Sequence, residues 1–158
     1  MNQKGITLIA LAVTIVVMII IAVIGISAGS TMINTARLQE ISTNMSLIQA
    51  KAKMEAEKHK FDPTSIELSG AINASNVTKL KSEGAIENTY DTTLLYTLNQ
   101  DNLTTFGLGN VRLKTGEAFL VDYNDPEVEV FYLPGFDYKG TKYYKLSKIL
   151  EINVNEEM

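Results

Sequence analysis

The feature that most limits how this chain can fold is an uncharged apolar run at residues 6–26. The only polar side chains in it are those of Thr7 and Thr14. As an α-helix, a run of this length extends about 30 Å, which is the thickness of the hydrocarbon core of a bilayer. Isolated in water it would aggregate, so we expect it to lie in lipid or among copies of itself.

The charges that flank the run are distributed unevenly. Lys4 and the α-amino group precede it, whereas the nearest charges after it are Arg37 and Glu40. Positive charge tends to stay on the cytoplasmic side of a membrane. We therefore predict a cell-membrane protein that crosses once, with a cytoplasmic N-terminus and its polar part outside.

Two ordinary interpretations of residues 6–26 are a secretory signal and a plain signal anchor. A secretory signal has a shorter apolar region followed by a small-x-small cleavage site, which Ile26-Ser27-Ala28 imitates. A plain signal anchor has the same length and apolar character as residues 6–26. Neither interpretation explains why the apolar run begins immediately after a lysine and a glycine.

The residues Lys4-Gly5-Ile6-Thr7-Leu8-Ile9 resemble the prepilin signature of type IV pilins and type II secretion pseudopilins. The resemblance implies that residues 1–5 are a leader, cut between Gly5 and Ile6 by a prepilin peptidase, and that Ile6 becomes N-methylated. A glycine suits such a site because it lets an extended backbone enter a peptidase cleft without a side-chain clash.

The resemblance also implies that residues 6–26 form the core of a helical filament made with other pilin-like subunits. The positions expected in that membrane or filament core are Leu8, Ile9, Ala10, Leu11, Val13, Val17, Ile20 and Ile24. The family usually has a glutamate at the fifth mature residue, where this chain has Ala10. Some minor subunits of the family lack that glutamate, so the motif leaves open whether this is a major or a minor subunit.

Residues 27–60 are predicted to continue the same helix as an amphipathic segment. Its apolar side chains recur three and four residues apart, as one face of a helix requires, at Leu38, Ile41, Met45, Ile48 and Ala52. Phe61-Asp62-Pro63 ends the segment, because the residue before a proline avoids helical geometry. We expect one helix from Ile6 to about Lys58.

Residues 61–158 are predicted to form a globular head. Short helices are expected at residues 77–83, capped by Ser75 or Asn76, and at residues 102–106, capped by Asp101. Branched and aromatic residues at 118–123 and 128–133 predict strands, and Lys139-Gly140-Thr141 predicts a hairpin turn. The expected fold class is α+β, with a long helix, membrane-spanning in its first half, packed on one face of a small antiparallel sheet.

Composition and motifs argue against most kinds of catalytic, metal-binding and nucleic-acid-binding site. The absence of cysteine excludes disulfides and thiolate metal sites, and a net charge of −4 gives no footprint for nucleic acid. The single His59 has no nucleophile or metal-ligand pattern around it, so we predict no enzyme and no cofactor.

Two clusters in the head allow alternative interpretations. Asp122, Asp125 and Glu127, close to a predicted turn, are a candidate calcium site, although a solvated hairpin face is the simpler explanation, because their spacing matches no EF-hand loop. A group of tyrosines predicts either a contact surface or half-buried sheet packing, at Tyr123, Tyr132, Tyr138, Tyr143 and Tyr144.

The sequence therefore leads to a hypothesis of a non-enzymatic pilin or pseudopilin, whose partners are the membrane, a prepilin peptidase and other pilin-like subunits. The alternative is a membrane-anchored extracellular binding domain that does not polymerise. Pilus, secretion and competence systems are not distinguished, and neither is the ligand of the head.

Overall fold

The structure is a computed structural model that describes the backbone of residues 3–156 and the side chains of residues 10–20 and 34–152. The chain divides into two compact units, Met1–Arg37 and Leu38–Met158. One helix, α1 (Gln3–Phe61), contributes residues to both units. The second unit adds a four-stranded antiparallel sheet and three shorter helices, so its α+β character agrees with the prediction.

Helix α1 begins three residues before the predicted start and ends just before Asp62-Pro63, as the proline rule predicts. Lysine and histidine side chains in its last turn complement the negative end of the helix dipole. The predicted apolar stripe is confirmed, because all five of its members are buried: Leu38, Ile41, Met45, Ile48 and Ala52. This stripe attaches the second half of α1 to the sheet.

The prediction that the first half of α1 spans a membrane is contradicted. A spanning helix needs about 20 consecutive apolar residues to cross a hydrocarbon core of about 30 Å. No helix in the part of the chain that the structure describes is both long and apolar enough to do so.

The sheet is a meander in which each strand pairs with the next along the chain. Its strands are β1 (Leu95–Thr97), β2 (Ala118–Asp122), β3 (Glu129–Tyr138) and β4 (Thr141–Lys145). Strands β2 and β3 pair from Ala118 with Leu133 to Asp122 with Glu129. A two-residue turn at Lys139 and Gly140 joins β3 to β4, with positive φ at both positions as a type I′ turn requires.

Both faces of the sheet are covered, which explains why every residue of β2 is buried. One face packs against the stripe of α1 and against the last helix, with Phe119, Val121, Val130 and Tyr132 in this cluster. Side chains of the opposite parity, such as Leu120 and Phe131, pack on residues 77–90. The packing of one sheet face on the long helix was predicted, whereas the cover on the other face, formed by the segment before β1, was not.

The short helices lie near their predicted positions but begin earlier. Helix α2 (Ala74–Ser82) is capped by Asn73, and α3 (Gln100–Thr105) is capped by Asn99 rather than by Asp101. In each case an asparagine oxygen accepts a backbone N–H three residues on, which is the ordinary geometry of a helix cap. Helix α4 (Leu146–Glu156) was not predicted, although Leu146, Ile149 and Ile152 are spaced for one buried face.

Gly135 permits an unusually close contact between the β3 backbone and the ring of Tyr144. It has a φ of +87°, and a Cβ at this position would lie 2.6 Å from Cε1 of Tyr144. Gly140 has a similar φ of +80°, but no atom lies within 4 Å of the place where its Cβ would be. The two glycines therefore differ in steric environment while sharing the left-handed conformation.

We expect Gly135→Ala to lower the free energy of unfolding more than Gly140→Ala does. Both variants incur about 1–2 kcal/mol for a left-handed alanine, and Gly135→Ala adds about 1–3 kcal/mol of overpacking against Tyr144. Urea unfolding of the full chain in a mild detergent, followed by circular dichroism, measures the difference. Equal losses in the two variants would contradict the close contact.

Candidate functional site

The most distinctive surface of the described chain is the apolar segment at residues 10–20 of α1. Every side chain in this segment is exposed, from Val17 at 47% to Met18 at 71% among the large apolar residues. No residue in it carries a charge, and the hydroxyl of Thr14 donates to the backbone carbonyls of Ala10 and Leu11 within the helix. Three turns of helix therefore present apolar surface in every direction.

Five of the predicted core positions lie in this exposed segment: Ala10, Leu11, Val13, Val17 and Ile20. The side chains of Leu8, Ile9 and Ile24 lie outside the described residues, as do those at the predicted processing site, Gly5 and Ile6. The backbone at Gly5 and Ile6 belongs to α1. A peptidase that needs an extended backbone would therefore have to unwind the first turns of this helix.

Burial of the segment would release a large free energy. Full burial of one valine, leucine, isoleucine or methionine side chain contributes about 1.5–3 kcal/mol relative to exposure. Eight such side chains stand between 47% and 71% exposed in residues 11–20. Since they point to all sides of the helix, only an environment that surrounds it recovers this energy.

Helix α1 is also tied to the turn between β2 and β3. The amide of Gln49 donates to the carbonyl of Val128 at 3.0 Å, and the ammonium of Lys53 contacts a carboxylate oxygen of Glu127 at 2.8 Å. The hydrogen bond from Lys53, together with its charge, lowers the pKa of Glu127. Val128 is buried with a φ of +55°, a strained conformation for a β-branched residue.

The three candidate calcium ligands use their oxygens in separate contacts. Asp122 accepts from the hydroxyl of Tyr90 and the backbone of Asn124, Asp125 accepts from the backbone of Glu127, and Glu127 pairs with Lys53. Within the described residues no group of three acidic or histidine side chains is arranged to hold a metal ion. These contacts give the calcium hypothesis no support.

Four tyrosine hydroxyls in the second unit contact carboxylates. Tyr90 donates to Asp122 at 2.5 Å, and the other three pairs are Tyr123 with Glu55, Tyr132 with Glu117, and Tyr144 with Glu83. Asp122 is only 2% exposed, so its bond from Tyr90 compensates for the loss of water around a buried acid. Burial, followed by the neighbouring carboxylate, raises the pKa of both Tyr90 and Tyr123.

The predicted tyrosine cluster is mainly sheet packing. Tyr123, Tyr132 and Tyr144 are buried, while Tyr138 and Tyr143 are half-buried beside the cluster that contains Tyr123 and Tyr132. His59 has a comparably local role, since its Nδ1 lies 2.5 Å from the carbonyl oxygen of Ile66. That contact holds the chain just after α1 against the last turn of the helix.

No protein-family model, curated protein or solved structure matches this chain.

We expect Tyr90→Phe to destabilise the second unit by about 1–3 kcal/mol, because it leaves the buried carboxylate of Asp122 without its hydroxyl donor. Tyr138→Phe is the matched control, since the hydroxyl of Tyr138 has no hydrogen-bond partner among the described residues. Thermal and urea unfolding of the full chain in detergent measure both variants. If the two variants were equally stable, Tyr90 would not be the stabilising partner of Asp122.

Stability should also fall at alkaline pH. Burial and the bond to Glu83 raise the pKa of Tyr144 to about 12, whereas an unfolded tyrosine titrates near 10. A group with a raised folded pKa stabilises fully below its unfolded pKa, and this contribution is lost between about pH 10 and 12. Urea midpoints at pH 8, 10 and 11 should fall across this range, and Tyr144→Phe should reduce the slope. An identical slope in the variant would contradict this assignment.

Proposed function

We propose that this chain is a structural subunit of a filament of the type IV pilus or type II secretion class, processed by a prepilin peptidase after Gly5. The observation that carries the proposal is the segment at residues 10–20, which is helical, uncharged and exposed on all sides. Because helices of other copies present the same surface, packing among them would bury it through close van der Waals contact.

The prepilin-like residues supply the second support. Lys4-Gly5 directly precedes the apolar run, and cleavage there would leave Ile6 as a new N-terminus for methylation. A head-to-tail interface closes into a ring only if the rotation between successive copies allows it. Otherwise the interface repeats from copy to copy and extends as a fibre. Assembly of this kind places the second unit at the cell surface.

Ala10 leaves open whether the chain is a major or a minor subunit of this class. A carboxylate in an apolar core is costly unless it is paired, so the usual glutamate fixes the register of neighbouring subunits through a charge contact. Ala10 has no such group and leaves the surface without a charge. Residues 10–20 would then pack without that means of fixing their register.

The rival function is an anchored extracellular binding domain that does not polymerise. It requires only that residues 6–26 hold the chain at a membrane, without contacts between copies. Processing after Gly5 and recovery of filaments containing this chain separate the two hypotheses.

Processing is tested by intact mass. The full chain is expressed with a prepilin peptidase, and the detergent-extracted product is expected to lack Met1 to Gly5 and to carry one added methyl group. Gly5→Leu should remain uncut because its side chain clashes in the cleft, whereas Gly84→Ala, remote from the site in sequence, should be cut normally. An uncut wild-type chain favours the plain anchor, and an N-terminus near Gly29 indicates ordinary secretion.

Assembly is tested by a charge in the exposed segment. We expect Val17→Asp to reduce the filament-incorporated chain at least about tenfold, since an unpaired carboxylate between apolar helices costs several kcal/mol. Val17→Leu keeps the surface apolar and should assemble. Sheared filaments are quantified by immunoblot, and an unchanged unfolding midpoint shows that the head still folds. Normal assembly of Val17→Asp would remove residues 10–20 from the interface.

A further inference from the structure

A short extended segment lies along the outer edge of β1. The backbone N–H of Ala71 donates to the carbonyl of Thr97 at 3.1 Å, and the N–H of Thr97 donates back at 2.8 Å. Gly70 makes this approach possible, because a Cβ there would lie 2.9 Å from the carbonyl oxygen of Thr97. Its φ of +101° also favours glycine. The segment is thus fixed against the sheet as a one-residue fifth strand.

The backbone N–H and carbonyl of the next residue, Ile72, point away from the sheet. Since Ala71 turns both of its backbone groups toward β1, strand alternation turns those of Ile72 to the opposite side. Among the described residues, neither the N–H nor the carbonyl of Ile72 has a hydrogen-bond partner, and its side chain is 57% exposed. A free donor and acceptor on an edge can pair with another extended chain.

Two cavities adjoin this edge and share Gly70, Ala71 and Ile72 in their walls. The first has a volume of about 470 Å³ and is mostly apolar, with Leu68, Leu94 and Tyr96 in its lining. It is large enough for a leucine, isoleucine or phenylalanine side chain. His59 and Glu67 also line it.

The second cavity, of about 270 Å³, has three asparagines among its lining residues, Asn73, Asn99 and Asn102. The side-chain oxygen of each amide accepts a backbone N–H at the start of a helix, which fixes the orientation of the group. Within the described chain, none of the three NH₂ groups has an acceptor. The residues around the second cavity therefore have amide donors to spare, which suits a ligand with acceptor oxygens.

We propose that this edge binds an extended peptide of a partner protein as an added strand. The peptide pairs with the N–H and carbonyl of Ile72, places a large apolar side chain in the first cavity, and presents an acceptor side chain, such as asparagine or aspartate, to the second. Strand addition of this kind takes affinity from the backbone and specificity from pockets beside the edge. The binding site is independent of residues 6–26 and of filament assembly.

The test uses a fluorescein-labelled, end-blocked peptide of alternating valine and threonine, with one central leucine and one asparagine. Its anisotropy is measured with the full chain in detergent micelles. Two further versions of the peptide carry N-methyl groups on alternate amides. In one version the methyl groups block one edge of the peptide strand, and in the other version they block the opposite edge. We expect the version methylated on the pairing edge to bind at least about tenfold more weakly, and the other to bind as the parent does.

Variants at Ile72 test the same contact from the protein side. Ile72→Pro removes the outward N–H and should weaken binding about tenfold, while Ile72→Val keeps it and should bind within about twofold of the wild type. In the wild type, saturating peptide should slow hydrogen exchange of the Ile72 amide at least about tenfold, a readout that needs no variant.

Each contrary result overturns the proposal. These results are no binding below about 1 mM peptide, equal loss in both N-methylated versions, or unchanged exchange at Ile72. Self-association of the full chain that Ile72→Pro abolishes, without peptide binding, would identify a second copy as the occupant instead. None of these outcomes depends on cleavage after Gly5.

Discussion

The packing of the α1 stripe on the sheet is the contact on which the second unit depends. Met45, Ile48 and Ala52 are fully buried against the face that carries Val121 and Val130. Because this helix supplies much of one layer, the sheet could not bury that face without it. The bonds from Gln49 and Lys53 to the turn at residues 127–128 add a polar attachment that fixes the position of the helix along the strands.

The sequence predicted those parts of the fold that depend on local pattern. The helical stripe from Leu38 to Ala52 follows from its three- and four-residue spacing, and the hairpin turn follows from the adjacent residues Lys139 and Gly140. Burial of the second sheet face was missed, because it depends on residues 77–90 folding back, a long-range contact without a local signal. The pairing of Asp122 with Tyr90, 32 positions apart, was missed for the same reason.

The candidate site was predicted in part. Apolar composition indicated that residues 10–20 need an apolar environment, and their exposure on all sides of α1 is consistent with that requirement. The prediction that the first half of α1 spans a membrane was wrong for the helices that the structure describes. The edge at Ile72 had no signal in composition, since it arises from the unusual φ of Gly70 and from a backbone pair between residues 71 and 97.

The central claim is that residues 10–20 are buried among copies of the same helix. The chain has no cysteine, so Val17→Cys gives a unique site for a nitroxide spin label. In filaments sheared from cells, we expect strong dipolar broadening of the label spectrum, because neighbouring helices lie about 8–10 Å apart when they pack. A label at Lys148→Cys, on the exposed face of α4, should give a narrow spectrum. A narrow spectrum at position 17 in intact filaments would contradict the account.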